Sequence, residues 1–184
     1  MRRFSSRLSC MNASLSHSGH RADKGHQVAA IARCYCELIE AASSGRSGWL
    51  KQVSLLLRRL HAAMAVIHFN APYVESLSPV DLDARFDLYS RLCCLLADRD
   101  GYFLEFDCAY DGLDARTGSL ADDLTDIYCE LWAGLSVHDQ EPRRALEFWY
   151  FGYEHHWGQH LIDAERHLTM LAAANRLEDA RGSD

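Results

Sequence analysis

The densest group of chemically able side chains is the run Glu154-His155-His156-Trp157-Gly158-Gln159-His160. His156 and His160 are four residues apart, so one helix face carries both imidazoles. Asp163 and His167 fall near the same angle at about 100° per residue. Upstream, Asp123, Asp126 and Glu130 follow one another at spacings of three and four. Imidazole nitrogens with carboxylate oxygens suit a divalent zinc, manganese, iron or nickel ion. His156, His160, Asp123 and Asp126 are therefore the candidate metal ligands. The Glu-x-x-His pattern of dinuclear iron bundles is missing around the two histidines, as is the glutamate of H-E-x-x-H. A second reading stays open: a buried polar network, with histidines paired to acids across a helix interface and Trp157 packed beneath.

Either reading needs two helices side by side, and the apolar periodicity predicts them. Ser119 precedes a stripe of Leu120, Leu124, Ile127, Leu131 and Leu135, and with Asp122 it resembles a capping box. Glu141-Pro142 opens the last helix, proline being well placed in a first turn. Its inward face is Leu146, Trp149, Tyr150, Tyr153, Trp157, Leu161, Ala164, Leu168 and Leu171, with a bend expected at Gly152 or Gly158. It is expected to reach Leu177. The short connection makes these two helices antiparallel neighbours. On this packing Asp122 is a capping residue, His155 faces solvent, and the Tyr128 hydroxyl has the polar face of the last helix within its range.

Three more helices precede this pair. The first spans His26–Ala42, on Val28, Ile31, Ala32, Tyr35, Leu38 and Ile39, and SSGRSG ends it. Ser47 is the expected N-cap of the second, over 48–69, whose seam is Leu50, Val53, Leu57, Leu60, Met64 and Ile67. His61 and His68 read as boundary residues on it. Pro72 and Pro79 belong to a loop. The third helix runs Pro79–Leu96 with Leu82, Phe86, Tyr89, Leu92, Cys93 and Leu96 inward. Residues 98–118 read as irregular, with Tyr102–Phe106 a short extended segment on the bundle. The expected fold is thus all-α: a single-domain helical bundle of about five helices over residues 26–177. A disordered basic tail, 1–25, precedes it and a disordered C-terminus, 178–184, follows.

Composition narrows the function. The 184 residues carry a net charge of −7. Arg2, Arg3, Arg7, Arg21 and Lys24 against Asp23 give residues 1–27 a charge of +4, which leaves −11 for the body. An acidic body repels phosphates and argues against a nucleic-acid partner. The longest uncharged run, Leu60–Val74, falls short of the roughly 18 apolar residues of a membrane span. The start lacks the apolar stretch of about 7–15 residues that a secretory signal requires. Seven cysteines, an odd number without C-x-x-C, point to a reducing, cytoplasmic setting. No phosphate loop, dinucleotide fingerprint or nucleophile elbow occurs, so no cofactor-binding residue is assigned.

The runs GSLADDLTDIY and FGYEHHWGQH, joined by an acidic proline-containing link, resemble the bacterial domain of unknown function 5063 family. DLDARFDLYSRL and the aromatic, acidic stretch after it are similar to that family too. The resemblance spans about residues 28–172 and implies a small bacterial cytosolic helical domain. It carries over no catalytic residue. The function expected first is a non-enzymatic module that binds a protein partner or assembles as a homo-oligomer. The alternative is a metal-dependent, hydrolase-like enzyme with its His/Asp site between the fourth and fifth helices.

Overall fold

The computed structural model describes residues 24–43, 48–70, 81–107 and 114–178. Residues 1–23 of the expected tail, the proline loop of 71–80, Ser47 and residues 179–184 lie outside them, while residues 24 and 25, expected in the tail, are helical. Helix α1 covers residues 24–40, and α2 covers Trp49–Met64. Helix α3, Leu82–Leu96, ends in one 3-10 turn, Ala97–Arg99. A hairpin of β1, Gly101–Asp107, and β2, Asp114–Ser119, leads into α4, Leu120–His138. Helix α5, Pro142–Gly152, continues through a π turn, Tyr153–Trp157, into α6, Gly158–Ala173. The last expected helix is therefore one long rod with a widened turn at its middle. The expected all-α bundle of five helices stands, with a small two-stranded sheet added.

Helix α4 is the centre of the bundle because it packs on α3, α5 and α6 and also takes the Tyr35 hydroxyl of α1 on its Leu124 carbonyl. Its Leu120, Leu124, Ile127 and Leu131 have no exposed surface. The α2 seam behaves as its spacing predicts, with Leu50, Val53, Leu57, Leu60 and Met64 all buried. The N-cap of α2 is Gly48 at φ 75°, not Ser47.

The third helix corrects the reading of its inward face. Leu82 and Phe86 are 73% and 65% exposed, whereas Leu88, Leu92 and Leu96 are buried. The face turned to the bundle runs Arg85, Leu88, Leu92, Leu96, which keeps the expected Leu92 and Leu96 and rotates the face by about 60° at 3.6 residues per turn, with Tyr89 and Cys93 partly buried at its edge. Arg85 occupies the first inward position because acids on α4 receive it. Asp81 caps this helix, its carboxylate accepting the Asp83 and Ala84 N–H groups at 3.1 Å each.

The stretch read as irregular is half strand. Tyr102 pairs with Gly118 and Phe103 with Thr117, and the register slips between Phe103 and Glu105. The second strand, DARTGS, has no apolar alternation to announce it. It exists because β1 supplies a partner and because Gly118 lets the Tyr102 ring lie against it. A Cβ at Gly118 would come within 2.4 Å of that ring.

Asp100 joins hairpin and helix. Its carboxylate accepts from Ser119 Oγ at 3.0 Å and from the Ala121 N–H at 2.7 Å. Its carbonyl accepts the Leu120 N–H at 3.0 Å. The expected box is thus half formed: Ser119 Oγ accepts the Asp122 N–H at 3.2 Å, but the Asp122 carboxylate turns to Arg85, and Asp100 meets the remaining need. Replacing Asp100 by alanine should therefore cost about 1–2 kcal/mol, the usual loss for a cap, read from urea unfolding. A change under a few tenths would mean water replaces it.

Among the described residues no helix is long and apolar enough to cross a membrane. Cys34, Cys36, Cys93, Cys94 and Cys129 are free thiols. Burial, the main cause, pushes the Cys36 thiol up to about 12, so it fills the core as an uncharged group. Cys34 and Cys94 are exposed.

Candidate metal centre

Helix α4 presents Asp123, Asp126 and Glu130 to the rod formed by the π turn and α6. Asp123 and Asp126 are buried, at 5% and 8% exposure. The π turn places the histidines opposite them. A π turn bonds i to i+5, so it inserts one residue into the helical path. Here it brings the Tyr153 carbonyl close to Gly158, where a Cβ would lie 2.1 Å from that oxygen. Trp157 closes the turn, fully buried, with its indole N–H donating to the Trp149 carbonyl at 3.2 Å.

The acids and imidazoles meet as the spacing predicts. His160 donates from Nδ1 to Asp123 Oδ1 at 2.9 Å, and its Nε2 lies 3.3 Å from Asp126 Oδ2. His156 donates from Nδ1 to Glu130 Oε1 at 3.1 Å. The two imidazole centroids are 5.2 Å apart, edge to face. Asp126, His156 and His160 each offer a ligand atom, and the three atoms lie within 4.8 Å of one another. Asp123 stands one step behind: both its oxygens are occupied, Oδ1 by His160 and Oδ2 by the Tyr102 hydroxyl at 2.5 Å.

Two members of the cluster escaped the sequence reading. Arg85 donates from Nε and Nη2 to Asp126 Oδ1, at 2.9 and 2.6 Å, and from Nη2 to Asp122 at 3.2 Å. Tyr102 reaches Asp123 from the hairpin. Arg85 was detectable as the polar residue on the Leu88–Leu92–Leu96 face; Tyr102 depends on a strand pairing that local pattern does not reveal. Tyr128 corrects its expectation, since its hydroxyl donates to Glu40 on α1 at 2.7 Å rather than to the last helix. His155 is exposed as expected and stacks on Phe151. His61 pairs with Glu165 at 2.8 Å. Asp163 accepts from Gln159 at 2.8 Å. His167 is buried farther along, its Nε2 donating to the Arg99 carbonyl at 2.7 Å.

The electrostatics follow from burial and pairing. His160 is raised above its ordinary value, chiefly because Asp123 accepts its N–H, with Asp126 adding to the effect. Asp123 is also raised, because burial outweighs the hydrogen bonds from His160 and Tyr102. Burial likewise raises Glu130. Arg85 is raised mainly by its hydrogen bond to Asp126. The acids Asp122, Asp123, Asp126 and Glu130 face one guanidinium, Arg85, and two imidazoles, while Asp163 and Arg166 act with opposite charge beside Tyr102. Such an excess of acid attracts a cation.

The donor set suits a transition metal. The imidazole Nδ1 atoms are each anchored by a carboxylate, which is how metal-binding histidines are commonly oriented. That leaves the Nε2 atoms for an ion, the one on His160 lying 3.3 Å from Asp126 Oδ2. Zinc bonds to such atoms at about 2.0–2.2 Å. A span of 4.8 Å must therefore contract, and His156, whose side chain is 51% exposed, has room to move. Two imidazoles and one carboxylate fill three positions and leave others for water or substrate.

The described residues thus form a helical-bundle domain with a carboxylate–imidazole cluster between two of its helices. The chain belongs to the family Domain of unknown function (DUF5063), whose model matches residues 21–174. Its fold is similar to that of protein BF1032 from Bacteroides fragilis, a crystal structure matched with a TM-score of 0.61 at 16% identity, over 79% of this chain and 89% of that one. At that identity the likeness concerns fold alone. No curated protein matches the chain.

Proposed function

We propose that Asp126, His156 and His160 bind one divalent transition metal and that this centre serves metal-dependent, hydrolase-like chemistry. The observation that carries the reading is the convergence of one ligand atom from each residue within 4.8 Å, beside Asp123 and Glu130, which each take an imidazole Nδ1–H. Zinc, manganese, iron and nickel all accept such donors. The bound ion would lower the pKa of a coordinated water and supply a hydroxide nucleophile. Asp123, first expected as a ligand, acts here as the acceptor that orients His160.

Elemental analysis of protein purified without a His-tag tests this. About one metal per chain is expected, with loss of it in a His156→Ala/His160→Ala variant. Substoichiometric metal, unchanged in that variant, would overturn the reading.

The second reading, a module that binds a protein partner or its own copy, draws on Leu82 and Phe86, exposed one turn apart on α3, and on Trp132, 54% exposed on α4. Light scattering after size exclusion, with pull-down from the host, addresses it. A monomer that captures nothing would count against it. A cytoplasmic setting accords with either reading, given the free thiols.

A further inference from the structure

We infer that Tyr102 is a positioning residue of this centre, setting the orientation of His160 through Asp123; the inference rests on the metal reading above. Tyr102 is 9% exposed, and its hydroxyl donates to Asp123 Oδ2 at 2.5 Å. The other oxygen of Asp123 takes the His160 Nδ1–H at 2.9 Å. One carboxylate therefore has its two oxygens tied to two elements, the hairpin and α6. With both oxygens tied, the carboxylate cannot rotate freely, and the imidazole plane is held so that Nε2 faces Asp126 Oδ2 at 3.3 Å.

The tyrosine is itself locked. Its ring stacks on His167 with centroids 4.7 Å apart, and Gly118 leaves the opposite side free of a Cβ. Arg166 ties the strand to α6 by donating to the Phe103 and Leu104 carbonyls at 2.8 and 3.0 Å. A tyrosine present only for packing needs any acceptor at all; Tyr35, for example, donates to the Leu124 carbonyl at 3.0 Å. Tyr102 instead spends its hydroxyl on the group that orients a proposed ligand.

Tyr102→Phe is the direct test, because it keeps the ring, the stack on His167 and the fit over Gly118. Cobalt(II) is titrated into metal-free protein, following its visible ligand-field bands, and zinc affinity is read by competition with a chromophoric chelator. The variant should bind about 10–100-fold more weakly, the usual loss for an outer-shell partner, with shifted cobalt bands. In an Asp123→Asn background the same substitution should add no further loss, since the hydroxyl acts through that carboxylate. Gly118→Ala, which displaces the ring but keeps the hydroxyl, should weaken binding as well and provides a second variant should the first not fold. Tyr102→Phe binding within twofold of the unsubstituted protein, with unchanged bands, would overturn the inference and leave the metal reading intact. An unsubstituted protein that binds neither ion would overturn both, and its own titration tells the two failures apart.

Discussion

Trp157→Ala should lower the unfolding free energy by about 3–5 kcal/mol, the range for truncating a fully buried large aromatic. The side chain has no exposed surface. It meets the edge of Tyr153 with centroids 5.0 Å apart and donates its N–H to the Trp149 carbonyl at 3.2 Å. Removing it leaves a cavity at the point where the long rod widens, while the Trp149 carbonyl keeps the Tyr153 N–H. For a domain of this size such a loss corresponds to a fall of about 10 °C in melting temperature. The effect should reach the site, because Trp157 closes the turn that holds His156 against Glu130. Thermal unfolding by circular dichroism gives the first readout. The His156 imidazole resonance, compared between variant and parent, gives the second. A loss under 1 kcal/mol would mean that neighbouring side chains collapse into the space, and the π turn would then need another support.

Asp123→Ala has the next largest expected effect, about 2–4 kcal/mol. The residue is buried and serves two donors, Tyr102 and His160. Each buried donor left without an acceptor costs about 1–3 kcal/mol. The sum is discounted because the carboxylate is itself held up by burial, and removing it relieves that desolvation. Asp123→Asn should cost roughly half as much, since it keeps one acceptor oxygen and presents an amide to the other donor. The ordering alanine, asparagine, parent is measurable by urea unfolding. Equal stability of alanine variant and parent would show that water reaches both donors, and Asp123 could then not orient His160.

The two predictions separate the contributions of the rod and of the helix beside it. Trp157 acts through shape, and Asp123 through satisfied polar groups. Neither requires a bound ion, so both bear on the cluster whether or not it holds metal.

Much of this arrangement is legible in the order of residues. The stripe Leu120, Leu124, Ile127, Leu131 places α4 in the core because burial of apolar surface drives it there. With a helix assigned to each run, steps of three and four put Asp123, Asp126 and Glu130 beside that stripe, and a step of four puts His156 and His160 on one face. Those spacings are local, so they survive without knowledge of the rest of the chain. The facing of acids and imidazoles follows from the short link between the helices.

Contacts between distant segments were decided elsewhere. The inward turn of α3 depended on acids of α4 that lie 37 and 41 positions away from Arg85, and charge pairing there outweighed the burial of Leu82 and Phe86. The strand DARTGS formed only because β1 lay beside it, pairing being a property of two segments at once. Tyr102 met Asp123, and Tyr128 met Glu40, through side-chain reach across packed elements. Periodicity along one segment determines which face turns inward when burial alone is at stake; it holds no record of which partner a polar group finds, and only the packed chain supplies that.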